Sequence, residues 1–297
     1  MTKRSLSNYI YDRIMSYIVR IENKWMMGMR RKGQLLYLSE LIPHFAGKKI
    51  FGFANGGSVS NLKGVERLKG YNLITVHDGP FHFYDKYGFM PNMWYLHYGP
   101  SAQVVMDHEK KKRLDFSDTF VLVPANDSQS VVFFGSSVVR KFMKAHPEAT
   151  YVLYREIRSS EIAEYIPEEY LKLGVEPLRS LGISSLHSIF LSISSFLGTS
   201  AIYFSGVDNL PTGHFYDRDR PYQSIDGKKL LDFPDRERTL ALDVKVRRLC
   251  VEHGIDVFRL EKEETLFMSH VFKDFEEALE EASPKIRPRD IVSSGGI

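Results

Sequence analysis

Short apolar runs alternate with amphipathic stretches along most of this chain. Short, mostly apolar runs of four to six residues predict buried strands, and apolar positions recurring at helical spacing predict helices. The predicted strands are Ile50 to Ala54, Leu73 to Val76, Met93 to Leu96, Phe120 to Val123, Val131 to Phe134, Tyr151 to Tyr154, Ala201 to Phe204 and Ile255 to Leu260. The predicted helices are Ser137 to Ala145, Ser160 to Leu173, Ile189 to Leu197, Arg236 to His253 and Met268 to Ala282.

This order of elements predicts an α/β fold with a doubly wound, mostly parallel sheet of the Rossmann type. We expect a single nucleotide-binding domain over residues 47–282, because the 297 residues with 43% hydrophobic content suit one large core. Within it, the long stretch 209–235 lacks regular patterning and is interpreted as a lid loop. Residues 1–46 are predicted to form an N-terminal helical extension, and residues 283–297 a tail.

The predicted extension carries an apolar stripe beside many basic residues. A basic amphipathic helix can lie on anionic lipid, so one interpretation is peripheral contact with the inner membrane face. The other is packing on the domain or on a second subunit of a homo-oligomer, since most amphipathic helices bury their apolar stripe in protein. The stripe consists of Ile10, Ile14, Tyr17, Ile18, Ile21, Trp25 and Met29.

Charge and cysteine content narrow the classes of function. The net charge of +3 and a pI near 8.7 fall short of a dedicated nucleic-acid binder. The single cysteine, Cys250, excludes an intramolecular disulfide and a cysteine-based zinc cluster. The sequence shows no signal peptide and no apolar run of membrane-spanning length. We therefore expect a cytoplasmic protein.

Small and polar residues follow two of the predicted strands. Asn55, Gly56, Gly57 and Ser58 come directly after the first strand. Glycines at such a turn allow positive φ and a close approach of the backbone to a ligand, and the amides and polar side chains can donate to an anionic group. A simple tight turn is the alternative, because the segment is neither a dinucleotide fingerprint nor a P-loop.

The second segment combines a helix, a strand and an acidic strand end. Ser184 and Ser185 are suitable N-caps for the helix that leads to the strand Ala201 to Phe204. The strand runs into Ser205, Gly206, Val207 and Asp208. The Asp208 carboxylate can accept hydrogen bonds from ribose hydroxyls, or it can simply cap a turn.

Three short motifs in these regions resemble those of known glycosyltransferases. N-G-x-S, the segment HDGPFHF, and S-G-V-D-N-x-x-x-G-x-x-Y are similar to motifs of the bacterial sialyltransferases of glycosyltransferase family 42. Related patterns occur in the Maf flagellin glycosyltransferases and in hydroxymethylpterin pyrophosphokinases. The resemblance covers roughly Lys48 to Leu260. It implies a nucleotide-binding α/β domain that transfers a CMP-activated acidic sugar to a glycan or glycolipid acceptor without a metal or other cofactor.

The resemblance also implies roles for particular residues. Asp78 stands where the family has Asn, and Ser185 lies near the family's Ser or Thr at the start of the later helix. The family places a catalytic His in the stretch before the last long helix, whereas Tyr222 to Thr239 contains none. The implied nucleotide-binding residues are Asn55, Gly56, Gly57, Ser58, Asp78, Ser185, Gly206 and Asp208.

Inverting glycosyl transfer needs a base near the acceptor hydroxyl and donors to the departing phosphate. His214 is our candidate base because it lies in the loop after Asp208, beside the family-like Gly213 and Tyr216. Tyr216 and Tyr222 are candidate donors to the phosphate. The candidate substrate-binding residues are His77 and His97 at strand ends, and Arg218 and Arg220 in the loop.

Two other functions remain open from the sequence. Asp208, Asp217 and Asp219 could hold Mg²⁺ for phosphoryl transfer on the same scaffold. Against this, acidic residues alternate with arginines in that loop, and no His/Asp/Glu spacing typical of zinc occurs. The missing family histidine also fits an inactive nucleotide- or glycan-binding module of polysaccharide assembly.

Overall fold

The structure is a computed structural model of the 297-residue chain. It describes residues 24–96, 99–110, 112–124, 137–157, 177–179, 186–207, 251–252, 254–260, 262 and 271–292. Three predicted elements therefore lie outside the described residues entirely or almost entirely: Val131 to Phe134, Ser160 to Leu173 and Arg236 to His253.

One parallel sheet organises the described part of the chain. The strand order is β1-β6-β5-β4-β3-β2-β8-β9-β10, with β7 pairing with β6, and every pairing between these strands is parallel. The predicted doubly wound parallel α/β class is confirmed. The strands are Leu35–Tyr37 (β1), Lys49–Phe53 (β2), Leu73–Val76 (β3), Met93–Tyr95 (β4), Phe120–Pro124 (β5), Thr150–Ile157 (β6), Pro177–Arg179 (β7), Ala201–Ser205 (β8), Asp256–Arg259 (β9) and Val271–Phe272 (β10).

Helices follow most strands. The predicted helix Ser137–Ala145 has the bounds that the sequence indicated, and the helix before β8 begins three residues earlier than predicted, at Leu186. The helices are 24–31 (α1), Ile42–Phe45 (α2), Gly79–Tyr87 (α3), Gly99–Glu109 (α4), Ser137–Ala145 (α5), Leu186–Leu197 (α6), Phe275–Glu281 (α7) and Pro288–Val292 (α8). Within the described ranges, the helices are all too short or too polar to cross a membrane.

The strands are apolar on both faces because helices cover both sides of the sheet. Successive residues point to opposite faces, so Ile50 packs with α6 while its neighbour Phe51 packs with α7 on the other side. The alternation holds in the adjacent strand, where Leu73 joins the same face as Phe51 and Ile74 the opposite one. Because both faces of the sheet are covered by apolar side chains, polar groups are left to the two rims of the sheet, where the strands begin and where they end.

The N-terminal segment differs from the predicted helical extension. Leu35–Tyr37 is a strand that pairs with β6 at the edge of the sheet, and Leu36 belongs to the core. Its three apolar or aromatic residues form the outermost strand on that side of the sheet. The helical periodicity over 1–46 did not indicate a strand there. The described end of the apolar stripe packs on protein, because Met29 is buried and Trp25 contacts the same cluster. The domain boundaries and the membrane contact stay predictions.

The C-terminal segment also differs from the elements that the sequence predicted. The predicted helix Met268 to Ala282 begins only at Phe275, because Asp274 has an extended backbone and its side chain accepts a hydrogen bond from the Glu276 amide. Upstream of this cap, Val271–Phe272 pairs with β9. The predicted tail after Ser283 returns to the sheet and includes α8.

Two buried asparagines hold this returning segment at the edge where strands begin. Asn72 Oδ1 accepts from the Ile286 amide at 2.9 Å, and its Nδ2 donates to the Pro284 carbonyl at 2.9 Å. Asn92 Nδ2 donates to Asn72 Oδ1 at 2.9 Å and to the Ile286 carbonyl at 3.1 Å. Asn92 Oδ1 accepts from the Leu73 amide at 2.6 Å. These bonds tie residues 284–286 to Asn72 and Asn92, which directly precede β3 and β4.

A buried histidine, His146, lies between two carboxylates. His146 Nε2 lies 2.8 Å from Glu109 Oε2, and its Nδ1 lies 2.9 Å from Glu148 Oε1. Burial lowers the pKa of His146, but the hydrogen bonds and charges of Glu109 and Glu148 outweigh it, so the pKa is raised above its usual value. The clamp joins the end of α4 to the turn between α5 and β6.

We expect this clamp to make stability depend on pH in one direction. A histidine whose pKa is higher in the folded state stabilises that state fully below the unfolded pKa and loses the contribution as pH rises through the folded pKa. The unfolding free energy of the wild type minus that of His146→Gln should therefore shrink as pH rises from 5 to 9, measured by urea denaturation. A difference that is constant or grows with pH would contradict the clamp.

Candidate functional site

The candidate site lies where β2, β3 and β8 end. The residues that connect β2 to β3, including Val59 and Leu68, pack on one face of the sheet, whereas α6, which leads into β8, packs on the other through Phe190. The strand order reverses between these neighbours, since the strand after β2, β3, lies on one side of β2 and the next described strand after β8, β9, lies on the opposite side of β8. In open α/β sheets, ligands bind in the crevice outside the carboxyl ends of strands at such a switch point.

The ends of β2 and β8 remain in close contact beyond the strands. The Ala54 amide donates to the Ser205 carbonyl at 2.9 Å, and the Gly56 amide donates to the Gly206 carbonyl at 2.8 Å. The Gly206 amide in turn donates to Ser58 Oγ at 3.2 Å. These contacts join the two sequence motifs that predicted the site, so Asn55, Gly56, Gly57, Ser58 and Gly206 do lie together.

The glycine that needs its conformational freedom here is Gly206. Its φ is 75°, and a Cβ atom would overlap the carbonyl oxygen of Ala54 and lie 2.8 Å from Val59 Cγ2. The turn after β2 does not use the freedom that its glycines allow, since Gly56 has φ −65° and Gly57 begins a 3-10 helix, Gly57–Asn61, without positive φ.

Asp78 lies at the centre of the polar residues in this crevice. Asn55 Nδ2 donates to Asp78 Oδ1 at 2.7 Å, and His82 Nε2 lies 3.1 Å from Asp78 Oδ2. Burial raises the pKa of Asp78, but the hydrogen bond and charge of His82, a backbone hydrogen bond and the charge of His77 outweigh it, so the pKa lies below its usual value. The carboxylate is therefore ionised at neutral pH.

The local sequence explains why these groups meet. Asp78 precedes α3 as its N-cap residue, and Pro80 lies in the first turn, where a missing amide hydrogen costs nothing. A carboxylate at a helix N-terminus is favoured by the helix dipole. His82 is four residues further on, so its side chain lies above that of Asp78. Gly79 allows the close packing, since a Cβ there would lie 3.2 Å from both Asn55 Oδ1 and Thr75 Cβ.

His77 has an unusual backbone at the end of β3. Its φ is 53°, in the left-handed region that non-glycine residues seldom adopt. Trp94 Nε1 donates to the His77 carbonyl at 2.6 Å, which helps to hold this conformation. The predicted substrate-binding residue His77 is thus beside Asp78 at the ligand edge.

The structure does not describe the remaining predicted site residues. These are Ser185, His97, Asp208, His214, Tyr216, Arg218, Arg220 and Tyr222. Their predicted roles stay predictions. One residue that the sequence analysis missed is His82, although the spacing of Asp78 and His82 at the start of a helix after a strand was a usable signal.

Comparison with known proteins gives matches in structure alone. No family model matches the chain, and no curated protein matches its sequence. Among solved structures, it is similar to the sialyltransferase CST-II in complex with a trisaccharide acceptor and CMP, at 17% identity and a TM-score of 0.43, covering 75% of this chain and 85% of that one. It is also similar to the sialyltransferase CstII from Campylobacter jejuni in complex with cytidine-5′-monophosphate, at 17% identity and a TM-score of 0.42, covering 76% and 85%.

At these identities and TM-scores the matches do not determine a function.

Proposed function

We propose that this protein is an inverting glycosyltransferase that binds a nucleotide-sugar donor in the crevice at the ends of β2, β3 and β8. The observation that carries the proposal is the contact of two separate sequence motifs at the switch point of a parallel sheet. Gly206 approaches the backbone of Ala54 there, and Asn55 is hydrogen-bonded to Asp78. Nucleotides bind such crevices because backbone amides and small residues let phosphate and ribose come close.

The motif resemblance supplies the chemical class of the substrates. It favours a CMP-linked nonulosonic or related acidic sugar as donor and a surface glycan or glycolipid as acceptor. In this proposal Ser58 and the amides at the start of Gly57–Asn61 face the nucleotide. Asp208 and Ser185 complete its site, and Tyr216 and Tyr222 donate to the leaving phosphate. His97, Arg218 and Arg220 contact substrate, and no metal is needed.

Nucleotide selectivity tests the proposal. A ligand that binds only the folded state at 100 times its Kd stabilises it by about 2.7 kcal/mol. For a chain of this size that corresponds to a rise in Tm of roughly 5 °C. We expect CMP without Mg²⁺ to produce this rise, and UDP, GDP and ATP to produce much less. Scanning fluorimetry with each nucleotide, with and without Mg²⁺, measures it.

Two variants make the test specific. Asn55→Ala should reduce the CMP effect, because it removes the partner that orients Asp78. Gln103→Ala, which removes an exposed side-chain amide that donates to Asp107 on its own helix, should leave it intact. Stabilisation by ATP that requires Mg²⁺ would replace the proposal with phosphoryl transfer, and no response to any nucleotide would refute nucleotide binding.

A further inference from the structure

The turn that joins β3 to α3 has a backbone conformation that its residue type does not favour. His77 has a φ of 53°, and within the described ranges every other residue with positive φ is a glycine. Left-handed backbone is costly for L-residues because the Cβ atom comes too close to a carbonyl oxygen. Such conformations persist where the surrounding structure enforces them, and they are frequent at ligand sites. We therefore looked for the group that enforces this one.

The indole of Trp94 is that group. Its Nε1 donates to the His77 carbonyl at 2.6 Å. Trp94 is fully buried in β4, and its ring packs against Phe116 and Phe142 at centroid distances of 5.7 and 5.3 Å. The donor is thus fixed in the core. A buried indole N–H needs an acceptor, so moving the His77 carbonyl away would leave it without one.

This hydrogen bond also orients the residue that follows. The His77 carbonyl and the Asp78 amide belong to one planar peptide unit, in which they point in opposite directions. Trp94 therefore sets the direction of the Asp78 amide as well. Burial raises the pKa of Asp78, but the hydrogen bond and charge of His82, a hydrogen bond from the backbone of Asp78 and the charge of His77 keep it below its usual value. The peptide unit that Trp94 holds thus contributes to the state of the carboxylate.

The carboxylate that is oriented in this way lies at the ligand edge of the sheet. Asn55 Nδ2 donates to Asp78 Oδ1 at 2.7 Å, and His82 Nε2 lies 3.1 Å from Oδ2. The Asp78 side chain is 23% exposed, so a ligand can contact it. Trp94 is covered. An effect of the indole N–H on ligand binding therefore has to pass through the turn at residues 77–78.

We propose that Trp94 is a positioning residue of the nucleotide site, and that it acts by holding the His77 carbonyl and, through the same peptide unit, Asp78. This rests on the function proposed above, in which a nucleotide-sugar donor binds in the crevice beside Asp78. The indole N–H carries the effect, and the bulk of the ring does not. Without the N–H, the turn relaxes in most molecules, and the ligand has to select the remaining molecules in which φ is still positive.

Removing the donor should therefore weaken nucleotide binding while the core stays folded. Trp94→Phe keeps an aromatic ring but has no N–H. We expect its Kd for CMP, measured by calorimetry, to rise about 10-fold, since the cost of left-handed backbone lowers the binding-competent fraction by about that factor. The control is Trp25→Phe, the same substitution in α1, whose Kd should stay within about 2-fold of the wild-type value.

A second variant removes the N–H without leaving a cavity. The chain has two tryptophans, so a Trp25→Phe chain produced with benzothienylalanine in place of tryptophan carries the analogue at position 94 alone. Sulfur replaces the N–H there, and the shape of the bicyclic ring is nearly kept. The same rise in Kd is expected. This variant decides the matter if Trp94→Phe unfolds, which urea denaturation shows.

A double-mutant cycle separates positioning from packing. In His77→Gly the residue adopts positive φ without a steric cost, so the turn no longer needs the indole to enforce it. Adding Trp94→Phe to His77→Gly should then raise the Kd for CMP less than about 3-fold, against about 10-fold in the wild-type chain. A tryptophan that matters only for core packing would cost the same affinity in both chains.

The outcomes distinguish this inference from the proposed function. A wild type that does not bind CMP overturns both. A wild type that binds CMP, with an unchanged Kd in the folded Trp94→Phe or benzothienylalanine variant, overturns the role of Trp94 alone. Equal losses of affinity with and without His77→Gly also overturn it. A rise in Kd that both donor-free variants show and that His77→Gly suppresses establishes Trp94 as the positioning residue.

Discussion

Replacing Gly206 by alanine should lower the free energy of unfolding by about 3 kcal/mol or more. A left-handed φ costs an L-residue about 1–2 kcal/mol, and forcing extra atoms into packed structure costs about 1–3 kcal/mol. At Gly206 both apply, because its φ is 75° and the new Cβ would overlap the Ala54 backbone. The backbone cannot move aside without breaking the bonds between the ends of β2 and β8.

Gly88 provides a matched control. Its φ is 74°, and a Cβ there would meet nothing within 4 Å. Gly88→Ala therefore carries the backbone cost alone, about 1 kcal/mol. Urea denaturation gives the free energy of unfolding of both variants. The difference between their losses measures the cost of the overlap between the new Cβ and the Ala54 backbone. Equal losses would mean that β2 and β8 do not come together as described, and the proposed crevice would lose its main support.

Replacing Asn92 by alanine should destabilise the protein by about 3 kcal/mol. The side chain makes three hydrogen bonds: two buried ones with the Leu73 amide and Asn72 Oδ1, and a partly buried one with the Ile286 carbonyl. Each buried polar group left without a partner costs about 1–3 kcal/mol. Some of that cost is recovered when water enters, which keeps the expected value well below the sum.

Gln103→Ala is the control, since it also removes a side-chain amide but from an exposed position. We expect a change within about 0.5 kcal/mol for it, as for most surface substitutions. Urea denaturation provides both values. A second measurement tests the cause: in Asn92→Ala, hydrogen exchange of the Leu73 and Ile286 amides should accelerate more than that of the Ala54 amide at the opposite edge. Uniform acceleration would argue against the network.

The sequence predicts the interior strands well because burial on both faces leaves a continuous apolar run. Leu73–Val76 has the predicted bounds, and β5 and β8 differ from theirs by one residue each. Edge strands lack this signal. Leu35–Tyr37 and Val271–Phe272 have three and two residues, and the partners that make them strands, β6 and β9, are distant or polar. Pairing geometry decides such segments, and a local pattern does not contain it.

The sequence predicted which backbone segments form the candidate site, but it did not predict which side chains interact there. Small residues after β2 and β8 mark where the chain must pass close to something, and the structure brings them together. The sequence did not show which glycine has the positive φ, because that depends on how β2 and β8 meet, and in the structure it is Gly206. His82 was missed because its significance arises from the Asp78 contact across one helical turn.

The segment after α7 has a consequence for how the chain folds. Ile286 bonds to Asn72 across 214 positions of sequence, and Lys49 bonds to Ser283 across 234. Rates of folding fall as contacting residues lie further apart along the chain, because the entropy of closing long loops is lost before the contact forms. The central strands can assemble from neighbours, but the final closure waits for residues 283–286. We expect a refolding intermediate in which the central strands are paired but residues 283–286 have not yet bound at the amino ends of the strands. A chaperone would bind this intermediate before the native state forms.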